Sequence, residues 1–180
     1  MFILAVAIVL PIDAAFMPVF SIGGTVPSLA GVLAAFVSLN ASRRNAWWGC
    51  FVIGLLIDFS SPQLVAGALL FLPGPNTLGF SVGSASVTVF RAVLLRRSML
   101  TVSAMTFVLL LGVSLVWVFI WSMRGIVTDG VVPFAGSATQ ELGIRVVWCL
   151  SSAMIGLPVG WLLNRTYSWW GFPGAGPRKF

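Results

Sequence analysis

The sequence contains no histidine, and only four of its 180 residues are acidic. Histidine and carboxylate side chains supply most general acids, general bases and metal ligands, so their scarcity argues against the common hydrolytic and metal-dependent enzymes. The sequence also contains neither a Walker phosphate-binding loop nor a dinucleotide-binding fingerprint. We therefore expect a protein that is not an enzyme and that uses no cofactor or metal.

Cysteines and charged residues are also few. The two cysteines, Cys50 and Cys149, lie in apolar segments, which predicts neither a disulfide framework nor a metal site, and we expect both to be small buried side chains. The net charge is +6, but the basic residues occur in twos and threes between apolar runs rather than as a stripe. Nucleic-acid binding is therefore not expected.

Apolar residues dominate the chain. Hydrophobic residues make up 59% of it against 8% charged, and the mean hydropathy is +1.06. A helix that spans a bilayer needs about 20 mostly apolar residues. Segments of that length predict an all-α fold. We expect a polytopic transmembrane bundle of about six helices over residues 1–163, followed by a cytoplasmic tail at 164–180. The predicted helices are 2–20, 25–40, 46–61, 77–95, 99–123 and 142–163. The first segment lacks the basic start of a secretory signal, so we expect it to remain as a helix.

One stretch, between Asp58 and Asn76, permits two interpretations. Asp58, Ser60, Ser61 and Pro62 interrupt the third apolar segment, and residues 64–72 are again apolar. Either a helix ends near Ser61 and an outer loop with an interfacial or re-entrant piece follows, or one long helix kinks at the proline. We favour the first interpretation.

The distribution of basic residues predicts the orientation, because short cytoplasmic loops retain lysine and arginine. With six crossings and a cytoplasmic amino terminus, only Arg124 and Arg145 lie outside. The pairs Arg43 with Arg44 and Arg96 with Arg97 are the topology-setting groups. We expect a multi-pass protein of the bacterial cytoplasmic (inner) membrane with both termini inside. The basic residues placed on the cytoplasmic side are Arg43, Arg44, Arg91, Arg96, Arg97, Arg165, Arg178 and Lys179.

Two acids, Asp13 and Asp58, lie within apolar segments, where ionisable groups are costly and are candidates for function. Each lies roughly 18 Å from the cytoplasmic start of its helix at about 1.5 Å per residue, so both belong to the outer half of the bilayer. They could be hydrated or paired with Arg145 or Arg124. Alternatively, they could line one outward-facing cavity and serve partner docking, or less often a substrate or a proton.

Small residues spaced by four predict close helix packing in lipid. The pairs are Gly79 with Gly83, and Gly156 with Gly160. Packing within the chain is favoured over a homodimer face, although the sequence leaves a homo-oligomer open.

The order of these features resembles the bacterial rod shape-determining protein family MreD over roughly residues 5–123. Pro27-Ser28-Leu29 is similar to that family's Pro-Asp-Leu opening of the second helix, with Ser28 in place of the acid. Gly54-Leu55-Leu56-Ile57-Asp58 resembles its Gly-Leu-Leu-x-Asp segment, and Gly74 to Phe80 resembles its glycine-containing entry to the next helix. Residues 63–72 look like an insertion.

The resemblance implies a non-catalytic scaffold of the cell-elongation machinery (elongasome), which guides cell shape and lateral peptidoglycan synthesis. It also implies contact with an MreC-like membrane partner and with wall-synthesis proteins, besides the lipid bilayer. The family is similar in helical architecture to the substrate-binding subunits of energy-coupling-factor transporters. That similarity supplies the rival hypothesis, a small-solute-binding transporter subunit.

Overall fold

The computed structural model describes residues 2–21, 24–61, 63–65, 68–70, 74–91, 98–127 and 137–172, with the side chains of all but 63–65, 68–70 and 127. These ranges contain six α-helices, as the all-α prediction requires. The helices are α1 Phe2–Phe16, α2 Leu29–Asn40, α3 Arg43–Ser60, α4 Pro75–Phe90, α5 Met99–Val127 and α6 Ala138–Arg165. Short 3₁₀ turns follow α1 at Met17–Phe20 and α6 at Tyr167–Trp170.

The helix starts differ from the predicted ones because local capping residues, rather than the apolar runs, determine where each helix begins. α2 begins at Leu29 instead of residue 25, since Ser28 accepts a hydrogen bond from the Gly31 N–H. α3 begins three residues early, after the cap Ser42, and α6 begins four residues early, after a capping box at Ser137. α4 begins at Pro75, the usual place for a proline in a first turn.

Some helix ends also differ. α5 continues to Val127, four residues beyond its predicted end, and α6 ends two residues late at Arg165. In α1 the regular helix stops at Phe16, because Pro18 opens a tighter 3₁₀ turn that completes the predicted segment. The predicted end of the fourth helix at residue 95 lies outside the described residues.

α2 lies in the centre of the bundle and contacts each of the other five helices. From Ala30 to Leu39 every residue of α2 is buried, including Phe36 at 0% exposure. α3, α4, α5 and α6 pack in sequence around it, while α1 contacts mainly α2 and buries only Val6. Both cysteines are buried, as expected from their apolar surroundings.

Beyond α3, two short antiparallel strands, β1 Gln63–Val65 and β2 Ala68–Leu70, pair with Leu64 opposite Leu69. α3 itself ends at Ser60. The described residues therefore agree with the interpretation in which a helix ends near Ser61 and a separate piece follows, and not with one long kinked helix.

Among the described residues, three helical segments are long and apolar enough to cross a membrane: Phe2–Phe20, Met99–Ile126 and Ala138–Arg165. α2 is apolar but has only 12 residues, about 18 Å of helix, against a hydrocarbon core of about 30 Å. Since α2 is surrounded by protein, its length does not have to match a bilayer. The unpaired backbone N–H and C=O groups at its two ends must instead form hydrogen bonds with other parts of the bundle.

The bundle has two chemically different ends. We call the end with the starts of α2 and α4 the aspartate end; Asp13 and Asp58 lie there. We call the opposite end, with the start of α3 and the ends of α2, α4 and α6, the arginine end. The arginine end carries Arg43, Arg44, Arg91 and Arg165.

Candidate functional site

The carboxylate of Asp58 caps the start of α4. Asp58 lies on the last full turn of α3 and is 5% exposed. Its Oδ2 accepts hydrogen bonds from the N–H of Gly74 at 2.9 Å, the N–H of Thr77 at 2.9 Å and the Thr77 hydroxyl at 2.6 Å. Its Oδ1 accepts from the N–H and the side-chain amide of Asn76, at 3.1 and 3.0 Å. Five donors thus surround one carboxylate, and its charge lies at the positive end of the α4 dipole.

Gly54 lies one turn before Asp58 on the same face of α3. A Cβ atom there would be 2.7 Å from Thr77 Cα and 2.8 Å from the Asn76 carbonyl oxygen, so only glycine lets α3 approach the start of α4 this closely. The two outer residues of the Gly-Leu-Leu-x-Asp pattern therefore serve one contact. Gly54 lets α3 approach α4 closely, and Asp58 accepts hydrogen bonds from the N–H groups at the start of α4.

Asp13 performs the same task for α2. Its Oδ1 accepts from the Leu29 N–H at 2.8 Å, and its Oδ2 accepts from the Ala30 N–H and the Ser28 hydroxyl, both at 3.2 Å. The Ser28 N–H in turn donates to the Ser152 hydroxyl of α6 at 3.0 Å. Pro27 is buried immediately before this cap. Two consecutive helical hairpins, α1–α2 and α3–α4, therefore use the same device, a carboxylate on the first helix that caps the second.

Arg91, a residue that sequence reasoning treated only as a topology signal, caps the other end of α2. Its guanidinium donates to the carbonyl oxygen of Ala41 at 2.6 Å and to that of Ser38 at 3.4 Å. The central helix is thus held between a carboxylate at its positive end and a guanidinium at its negative end. The available signal was the position of Arg91 in the sequence, five residues before the Arg96–Arg97 pair.

A cavity of about 430 Å³ opens at the aspartate end between α1, the segment just before α2, α3, α4 and α6. Asp13, Ser28, Ser60 and Asn76 supply polar groups to its wall, and Phe80 and Trp148 are among its apolar lining. Asp58 does not line the cavity. The alternative in which both aspartates line one cavity is therefore wrong for Asp58, because its carboxylate is turned toward the start of α4.

Neither aspartate forms an ion pair with an arginine in the described part of the chain, contrary to one predicted alternative. Arg145 instead pairs with Glu141 one turn earlier on α6, with Nε to Oε1 at 2.9 Å, and its guanidinium lies 3.5 Å from the centre of the Trp117 ring. A carboxylate one turn away is reached more easily than one on another helix. Across the ranges given above, no group of three or more histidine, cysteine, aspartate or glutamate side chains could hold a metal ion.

The predicted small residues lie at contacts between helices of the same chain. Added Cβ atoms at Gly79 and Gly83 would approach α5 at 3.0 Å from Val113 Cα and 2.6 Å from the Leu109 carbonyl oxygen. On α6, Gly156 and Gly160 would meet Ser103 Cα at 3.3 Å and Val102 Cβ at 3.0 Å. These four glycines therefore let α4 and α6 pack tightly on the two sides of α5.

Of the four topology-setting arginines, Arg43 and Arg44 lie in the exposed first turn of α3, at the arginine end. Arg96 and Arg97 lie outside the described residues. The three described acids, Asp13, Asp58 and Glu141, all belong to the opposite end.

The described parts of the chain form an all-α bundle of six helices, three of them of membrane-spanning length, in which carboxylates within apolar helices cap neighbouring helices. No family model, no curated protein and no solved structure matches the chain.

Proposed function

We propose that this chain is a multi-pass protein of the bacterial cytoplasmic membrane with both termini inside. The support is the separation of charge along the bundle. Arg43, Arg44, Arg91 and Arg165 share one end, while the described acids share the other with only two arginines, Arg124 and Arg145. Short loops rich in arginine are typical of the cytoplasmic side.

Within that membrane, we propose a non-catalytic scaffold of the cell-elongation machinery, which acts in cell shape and lateral peptidoglycan synthesis. The observation that carries the proposal is that both carboxylates within apolar helices accept hydrogen bonds from the helix starts they cap. Five donors contact Asp58 and three contact Asp13, all from the helix starts they cap. Groups held in this way fix helix positions and are poorly placed to move protons or bind a substrate.

The surface of the bundle fits this role. α1 is packed on one side only, and Ile3, Leu4 and Ile8 are 82%, 59% and 50% exposed. An apolar helix face of this kind suits lipid tails or the membrane helix of a partner, where packing rather than the hydrophobic effect drives association. The resemblance to MreD identifies the expected partner as an MreC-like protein, with wall-synthesis proteins nearby.

A second candidate function, a small-solute-binding transporter subunit, is favoured by the cavity of about 430 Å³ beside Asp13. This volume is within the usual range for small ligands. However, the Asp13 oxygens already accept hydrogen bonds from α2, so a polar solute would have to compete with the helix cap. We therefore rank this function below the scaffold.

Mild-detergent purification of the tagged protein from its native membranes tests the two candidates. Mass spectrometry of the eluted proteins and small molecules should recover an MreC-like protein and wall-synthesis proteins at levels well above an unrelated tagged membrane protein. A stoichiometric small molecule, or an ATPase module in place of these partners, would favour the transporter subunit instead.

A further inference from the structure

A second cavity, of about 530 Å³, lies at the arginine end between the start of α3 and the end of α4. Arg43, Arg44 and Trp47 line it from α3, and Ser84, Ala85 and Thr88 line it from α4. The cavity is therefore basic and aromatic on one wall, and small and weakly polar on the other.

The two guanidinium groups have no counter-charge in the described part of the chain. Neither Arg43 nor Arg44 forms an ion pair or donates a hydrogen bond there, whereas Arg91 caps α2 and Arg145 pairs with Glu141. No aspartate or glutamate occurs between Asp58 and Asp129, and the nearest described acids are at the other end of the bundle. An anion that pairs with these arginines would therefore come from outside these residues.

We propose that this cavity binds the phosphodiester headgroup of an anionic phospholipid. Guanidinium groups bind phosphate oxygens through paired N–H donors, and basic pockets between membrane helices on the cytoplasmic side are suited to such headgroups. Trp47 stacks on Phe51 with ring centroids 5.6 Å apart, which fixes the position of its indole, and tryptophan is typical of the headgroup level of a membrane. The small Ala85 leaves room on α4 for the glycerol and the upper acyl chains.

The proposal rests on the membrane placement proposed above, but not on the scaffold role. It predicts selectivity for anionic over zwitterionic lipid. Both lipids carry a phosphodiester, but only the anionic lipid has a net negative charge to attract the two arginines. An arginine beside an anionic headgroup contributes about a 5.4-fold preference, so the pair should give about 30-fold.

Native mass spectrometry of the full chain in detergent, titrated with phosphatidylglycerol or phosphatidylcholine, measures that selectivity. The double variant Arg43→Gln/Arg44→Gln should lose the roughly 30-fold preference. Arg165→Gln is the matched control, because Arg165 lies at the same end but over Trp161, outside the cavity. It should retain the preference seen in the parent chain.

A second variant blocks the cavity without altering charge. Ala85 is exposed on α4, so Ala85→Leu should fold and insert normally, retain every arginine and still lose lipid selectivity by fivefold or more. Unchanged selectivity in Ala85→Leu, or an equal loss in Arg165→Gln, would mean that surface charge alone attracts the lipid and would overturn the proposed site.

Two further outcomes would also contradict the proposal. Displacement of the lipid by millimolar inorganic phosphate would identify the ligand as a free anion. Co-purification of an acidic protein segment in place of the lipid, lost in the double glutamine variant, would assign the cavity to a protein partner. Insertion of each variant is checked separately by reconstitution and protease protection, so that failed membrane placement is distinguished from a failed lipid site.

Discussion

The substitution Asp58→Asn tests whether this carboxylate holds the start of α4. Asparagine has nearly the same shape but retains only one acceptor oxygen, and its amide nitrogen can only donate. In its best orientation the remaining oxygen contacts the three donors now at Oδ2, from Gly74 and Thr77. The new NH₂ group then faces the Asn76 N–H and side-chain amide, which are both donors.

The expected loss follows from these contacts. Two hydrogen bonds to a charged acceptor disappear, at about 1.5–3 kcal/mol each, and the other three lose the strengthening that ionisation provides. A flip of the Asn76 amide would restore one partner. We therefore expect Asp58→Asn to lower the free energy of unfolding by about 3–5 kcal/mol. Asp13→Asn should cost less, about 1–2 kcal/mol, because Asp13 is only partly buried and accepts three bonds, two of them at 3.2 Å.

Reversible unfolding in mixed micelles of a mild detergent and dodecyl sulfate, followed by tryptophan fluorescence, gives both free energies. The topology should survive in both variants because the arginine loops are untouched. Co-purification with partners should be lost in Asp58→Asn if the position of α4 matters for assembly. Equal stability of Asp58→Asn and the parent chain, or a larger loss in Asp13→Asn, would refute the assignment of Asp58 as the stronger cap.

Three further predictions use the same unfolding assay. Gly54→Ala and Gly83→Ala should each cost about 2 kcal/mol, because the added Cβ meets backbone atoms at 2.7 and 2.6 Å. Gly143→Ala, where nothing lies within 4 Å, should be neutral or slightly stabilising, and a loss there similar to that of Gly54→Ala would remove the packing explanation. Arg91→Gln should cost about 1–2 kcal/mol by uncapping α2, whereas the exposed Arg165→Gln should change stability little, and equal effects would argue against a capping role for Arg91.

The helical class and the approximate positions of the helices are readable from the sequence because lipid-compatible segments must be long, apolar and uninterrupted. The exact starts depend on single capping residues. Ser42 and Ser137 begin helices within stretches that look like polar loops, so an apolar-run criterion misplaces them. The central location of α2 is not readable at all, since an apolar helix that faces lipid and one that faces protein have the same composition.

The same limit applies to the site. Asp13 and Asp58 stand out in the sequence because charge is rare in apolar segments, but spacing alone cannot say which groups satisfy them. The answer depends on contacts across 15 to 19 residues of chain, to Ser28 in one case and Thr77 in the other. The sequence marks Gly54 as a motif residue, but only the structure shows that it lies at the close contact between α3 and the start of α4.

The most direct test of the account concerns the cavity beside Asp13. Ala14 lines that cavity, is exposed, and takes no part in the Asp13 hydrogen bonds, so Ala14→Phe should fill the space without removing the α2 cap. The measurement is partner recovery by co-purification from native membranes, for the parent chain and Ala14→Phe in parallel. The proposed scaffold role predicts that an MreC-like protein and wall-synthesis proteins are recovered equally with both chains, and that no small molecule is lost in Ala14→Phe. A bound solute that is present with the parent chain and absent with Ala14→Phe would contradict the scaffold account.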